Sequence, residues 1–150
     1  MPVTVRRASL NDIEQLATLF DEYRQFYEQP ADLSKARAFL GERLGLGESV
    51  VFIAQDDRDT AVGFTQLFPG FSSVRAARIY LLNDLFVAAP ARRQGVAERL
   101  LATAAEFARG DGALRLTLST AITNVAAQAL YEREGWQRES GYFEYCLPLA

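Results

Sequence analysis

Residues 79–87, IYLLNDLFV, make the most apolar stretch of the chain, and their junction with the next helical pattern constrains the fold most. Pro90 and Ala91 end the run, Arg92-Arg93-Gln94 make a short turn, and a helical pattern opens at Gly95. Val96, Leu100, Ala104 and Phe107 recur at threes and fours on its inward side, and Gly110-Asp111-Gly112 stops it. A buried strand feeding straight into an amphipathic helix belongs to an α/β layer structure. Asn83 and Asp84 interrupt the apolar run. Two polar residues inside a central strand either mark a bulge or face a group that repays their burial.

The rest of the chain supports the same class. VTVRRA reads as a short strand, with Val3 and Val5 alternating against polar neighbours. Ser9 and Asp12 form a capping-box pattern ahead of a helix marked by Ile13, Leu16, Phe20, Tyr23 and Tyr27, which Pro30 should end. A second helix, roughly Ser34 to Leu44, stops near Gly45 and Gly47. VVFIAQ and AVGFTQLF flank a polar turn and predict an antiparallel hairpin, closed by Pro69-Gly70, with GFSSVRAA as an exposed connection. LRLTLST alternates strictly and predicts a strand; Asn124 should cap a short helix through Glu134. WQRES and YFEYCLPL predict a final pair of strands. The expected architecture is one domain over residues 1–150, α/β, with a mixed central sheet and about four flanking helices.

Composition narrows the chemistry. With no histidine and one cysteine among 150 residues, no Ser-His-Asp or Cys-His pair can form, nor a histidine-ligated metal site, and no metal is expected. Cys146, on an apolar segment, reads as packing. A hydrophobic fraction of 49% suffices for a core, and a net charge of −3 argues against a nucleic-acid partner. No apolar run has membrane-spanning length and the amino terminus lacks a signal-peptide core, so a cytoplasmic protein without a membrane partner is expected.

The strand-turn-helix is the one stretch that suggests a ligand. Glycine lets the backbone approach a bound group, the first-turn N–H groups point outward, and the helix dipole adds about half a positive charge there. Arg92 and Arg93 bring full charges. These features fit a diphosphate cradle. They equally fit an ordinary connection with solvated arginines, and neither a Walker loop nor G-x-G-x-x-G is present.

Arg92-Arg93-Gln94-Gly95-Val96-Ala97 also matches the pyrophosphate motif Arg/Gln-x-x-Gly-x-Gly/Ala. Together with the apolar strand before it and the downstream pattern Asn124…Ala127…Leu130-Tyr131-Glu132…Gly135-Trp136, the chain resembles the GCN5-related N-acetyltransferases, most nearly the diamine/polyamine and small histone acetyltransferase-like members. The resemblance spans essentially the whole chain. It implies acetyl-CoA as co-substrate and direct attack of an amine on the thioester. The pyrophosphate would sit on the backbone of Arg93 through Glu98. The pantetheine arm would lie along Leu85, Phe86 and Val87 where two strands splay, with Asn124 and Ala127 on its far side. A bulge near Asn83-Asp84 would turn a backbone N–H, such as that of Leu85, toward the acetyl carbonyl.

The resemblance makes Tyr131 the general acid for the departing thiolate; the plainer reading is a tyrosine packed on the sheet. Asp84 stands open between a base, an anchor for a cationic acceptor and a structural carboxylate. Asn83 replaces the second acid that diamine-acetylating relatives often carry, which puts polyamine specificity in question. Tyr23 and Tyr27 are candidate walls of the acceptor pocket, with Phe26 as core. The acceptor expected is a small primary amine or a lysine side chain. Alternatives are a non-catalytic acyl-CoA sensor and a toxin that acetylates aminoacyl-tRNA. Aromatic residues near the carboxyl end suggest a homodimer, with a tetramer left open.

Overall fold

The computed structural model describes residues 2–150. Its contacts divide them into two compact units, residues up to Ser119 and residues from Thr120 onward. The first contains a five-stranded sheet: β1 (Thr4–Arg7), β2 (Val50–Gln55), β3 (Ala61–Ser72), β4 (Ala77–Val87) and β5 (Leu116–Thr117). The strands lie in sequence order. All neighbours pair antiparallel except β5, which runs parallel to β4, so the sheet is mixed as expected.

Helices α1 (Ile13–Phe26) and α2 (Leu33–Gly45) pack together over one face, and α3 (Val96–Gly110) covers the other. Adjacent residues of β3 show the two faces. Phe64 joins Leu16, Phe20, Leu40 and Phe86 in the core beneath α1 and α2. Gly63 faces α3 so closely that an added Cβ would lie 2.9 Å from the Phe86 carbonyl oxygen and 3.3 Å from Leu100 and Val96 side-chain atoms. Cover on both faces explains why β2 and the middle of β3 are buried without a break, instead of alternating.

The capping box forms as read. Ser9 Oγ accepts from the Asn11 N–H at 3.2 Å, and Asp12 Oδ2 accepts from the Ser9 N–H at 2.9 Å. Arg6 closes on the same carboxylate with N–O distances of 2.6 and 3.0 Å, holding the Asp12 carboxyl below its usual range.

Four expectations need correction. α1 stops at Phe26, before Pro30, because Glu28 takes up a left-handed φ of 65°. β3 does not close at Pro69-Gly70; both pair onward with Tyr80 and Ile79, and the turn comes after Ser72. Pro69 is tolerated because pairing with β2 has ended at Leu67, leaving that side of β3 an edge where a missing N–H breaks no ladder. LRLTLST is strand only at Leu116–Thr117. Among the described residues no strand comes after Thr117, so WQRES and YFEYCLPL form none.

The second unit holds α4 (Val125–Arg133), capped as read by Asn124 Oδ1 accepting from the Ala127 N–H at 3.1 Å. Its later residues belong to no helix or strand and are exposed, including Tyr142, Phe143, Tyr145, Leu147 and Leu149. Cys146 is exposed too, so packing does not account for it. Among the described residues no helix is long and apolar enough to cross a membrane.

Candidate active site

β4 pairs with β3 as far as Val87 opposite Gly63, but on its other side only Tyr80 and Leu81 meet β5. From Leu82 to Val87 that edge carries no strand among the described residues. The backbone groups along residues 85–87 that point to this edge have no strand to pair with there and could meet an extended ligand with amides of its own, apart from the Val87 carbonyl, which Arg92 takes. The Phe86 side chain itself is buried in the core and serves as wall material.

Beyond Val87 the chain turns sharply. Arg93 and Gly95 both adopt left-handed backbone, with φ of 62° and 79°, and Gly95 is the N-cap of α3. An added Cβ at Gly95 would meet only Glu98 Oε2, at 3.8 Å, so the glycine is there for its backbone conformation and not for lack of space. No side chain caps the helix, and its ladder begins with the Arg99 N–H to Gly95 O at 3.1 Å. The first-turn amides of Val96, Ala97 and Glu98 thus precede the ladder and face outward, with the positive end of the dipole behind them. Neighbouring left-handed residues ahead of such a helix start shape a concavity suited to anions.

Two motif side chains brace this turn. Arg92 Nε donates to the Val87 carbonyl at 2.8 Å, and its guanidinium lies over the rings of Phe26 and Phe86. Gln94 Nε2 donates to the Pro90 carbonyl at 3.2 Å.

On the α1 face of β4 sits a buried carboxyl group. The register slips between Gln66↔Asp84 and Leu67↔Leu82, so Asn83 is the extra residue of a bulge. Thr65 Oγ1 ties down the Asp84 carbonyl at 2.8 Å. The Asp84 side chain accepts from Gln66 Nε2 at 2.6 Å and from Asn83 Nδ2 at 3.1 Å, and the Tyr23 side chain of α1 also bonds to it. Burial pushes its proton affinity above that of an ordinary carboxylate, and these three neutral donors only partly restrain the rise. Such a carboxylate is a better proton acceptor than an exposed one.

The aromatic stripe divides. Tyr23 is half-buried, packed against Phe64, Phe86 and Tyr27. Tyr27 and Phe26 are 57% and 59% exposed, so Phe26 is not core; Arg92 is its cationic neighbour. In the second unit, Tyr131 is half-buried with its ring 6.1 Å from Trp136, and the Ala127 amide is engaged by Asn124. Sequence reasoning misses Gln66. Its signal is a lone amide within a buried strand, the same anomaly that marks Asn83 and Asp84. No cluster of three or more potential ligands is placed to hold a metal ion among the described residues.

The family model "Acetyltransferase (GNAT) family" matches residues 13–136. The chain belongs to this family. An uncharacterized N-acetyltransferase, YhfO of Bacillus subtilis (strain 168), is 46% identical over 145 residues, covering 97% of each chain. A probable acetyltransferase of Haemophilus influenzae is 34% identical over 126 residues, 84% of each. A crystal structure of a probable acetyltransferase, 40% identical, superposes with a TM-score of 0.94 and covers 98% of both chains. The protein is a GNAT-type acetyltransferase, and its mixed sheet with flanking helices is the fold of that solved relative.

Proposed function

We propose that this GNAT acetyltransferase moves an acetyl group from acetyl-CoA to a primary amine, on a small molecule or a lysine side chain, with residues 1–150 acting as one domain. The observation that carries this reading is the open edge of β4 running into a helix start whose outward amides lie just beyond left-handed Arg93 and Gly95. These residues fit the group. The backbone from Arg93 through Glu98 would hold the diphosphate, and the edge at residues 85–87 would pair with the pantetheine amides.

Acetyl-CoA supplies an activated thioester with a thiolate as leaving group. Asp84 accepts the proton of the acceptor's ammonium group, directly or through a water, freeing the nitrogen lone pair for attack. The new C–N bond forms as the C–S bond breaks, and the proton left on the acylated nitrogen passes to solvent, from which Tyr131 is reprotonated after its own transfer to sulfur. Tyr131 gives its phenolic proton to the departing sulfur; a phenol of pKa about 10 holds that proton at neutral pH. Tyr23 and Tyr27 offer aromatic faces to a cationic acceptor, and the exposed Asn83, bonded to Asp84, is the third residue assigned to it. The exposed aromatic side chains between Tyr142 and Leu149 support assembly as a homodimer.

The test is thiol release from acetyl-CoA against polyamines, aminoglycosides, amino acids and lysine peptides. Wild type turns over at least one class, and Tyr131→Phe lowers kcat by about 10²- to 10⁴-fold, the usual range for a lost general acid. Coenzyme binding without thiol release favours an acyl-CoA sensor instead, and failure to bind coenzyme A removes the proposal.

A further inference from the structure

Gln66 is fully buried, on β3 directly opposite Asp84. It lies two residues beyond Phe64, so it shares the face beneath α1. One end of its amide is engaged, Nε2 donating to Asp84 Oδ2 at 2.6 Å, while Oε1 is buried with no hydrogen-bond partner. A buried carbonyl oxygen without a donor is a liability that an apolar side chain of similar volume would avoid. Packing alone therefore favours Met or Leu here, and the amide's engaged end is the part that needs explaining.

We propose that Gln66 is a positioning residue for Asp84. Its N–H holds Oδ2 while Asn83 holds Oδ1, fixing the carboxyl group in one orientation toward the acceptor amine. The groups around that carboxyl are neutral: Gln66 from β3, Asn83 from its own strand and Tyr23 from α1, with no ionic partner contributing to its proton affinity. Arg92, the neighbouring cation of the turn, is directed to the Val87 carbonyl and the rings of Phe26 and Phe86. A buried carboxylate without a countercharge depends on donated hydrogen bonds to ionise, and the Gln66 bond is the shorter of the two to β-strand side chains. This inference rests on the reading of Asp84 as the amine's proton acceptor.

The experiment is a ¹³C NMR titration of the Asp84 carboxyl in the ligand-free protein, for wild type, Gln66→Met and Gln66→Leu. It is paired with the pH dependence of kcat/KM for whichever amine is turned over. Loss of the donor moves the Asp84 titration upward by about one unit or more, and the acidic limb of kcat/KM moves with it. On the acidic limb itself this reads as about a tenfold loss in kcat/KM at fixed pH, with the KM for acetyl-CoA unchanged. In an Asp84→Asn background, Gln66→Met adds less than twofold. An unmoved titration, or an equal loss in the Asp84→Asn background, overturns the assignment while Asp84 keeps its role. Wild-type kcat/KM in Asp84→Asn overturns the Asp84 reading and this one with it.

Discussion

Replacing Gly95 by alanine separates two jobs assigned to the start of α3. The residue sits at φ 79° as an N-cap, and a Cβ there would find only Glu98 Oε2, at 3.8 Å. Sterics with neighbours are thus negligible and the penalty is conformational. Left-handed backbone costs an L-residue roughly 1–2 kcal/mol. The stiffer unfolded chain of an alanine variant returns roughly 0.4–1 kcal/mol. The balance is a net loss of about 1 kcal/mol, which for a chain of this size lowers Tm by about 2–4 °C. Asparagine tolerates the left-handed region and is a favoured N-cap, so Gly95→Asn should melt close to wild type. Coenzyme A affinity tells the other half. If a diphosphate seats against the amides of Val96 to Glu98, any side chain at residue 95 intrudes, and both variants should bind at least tenfold more weakly by calorimetry. Wild-type Tm in the alanine variant would refute the conformational argument. Unchanged affinity in both variants would refute the cradle.

The packing and the charges lead to three further outcomes. Asp84→Asn should be at least as stable as wild type at neutral pH. A carboxyl group with raised folded-state affinity lowers stability as pH climbs from about 4, its unfolded value, through the higher folded value, so the Tm difference should open above about pH 4 and close below it. A difference that grows toward acid would reverse the assignment. Asp12 behaves oppositely: its depressed carboxyl contributes stability above about pH 4 that disappears as pH falls through its lowered folded-state value, so the Tm gap between wild type and Arg6→Gln should shrink steadily as pH drops below about 4. In Gly63→Ala the new Cβ would lie 2.9 Å from the Phe86 carbonyl of β4 and 3.3 Å from side-chain atoms of Val96 and Leu100, so the change should cost about 1–3 kcal/mol in urea unfolding; a neutral result would show that β4 and α3 both yield freely.

Local signals made the fold legible where they agreed with one another. The capping box at Ser9 and Asp12, the Asn124 cap and the strand-to-helix turn at Gly95 each depend on a few adjacent residues, and each forms as read. The bulge at Asn83 was legible for the same reason, since two polar residues in an apolar strand leave few alternatives. What failed depended on neighbours distant in sequence. Pro69 looks like a breaker until β2 is known to stop pairing at Leu67. LRLTLST and YFEYCLPL have strand composition, but a strand exists only where a partner's hydrogen bonds meet it, and alternation cannot report a partner. The site shows the same division. Arg92, Gly95 and Asp84 were visible as pattern, whereas Gln66 became significant only when the register set it opposite Asp84.

The close approach at Gly63 has a consequence for how sequence change is felt. Because Val96 and Leu100 rest almost directly on that glycine's backbone, the depth of α3 over the sheet is set by one missing methyl group. Val96 also belongs to the first turn whose amides face outward. A core substitution that lifts the helix by a fraction of an ångström therefore carries those amides with it, away from the open edge of β4. Drift at buried positions beneath α3 should register as altered cofactor affinity in proteins that still melt normally, and paired changes at Gly63 and Val96 are the natural way for relatives to tolerate it.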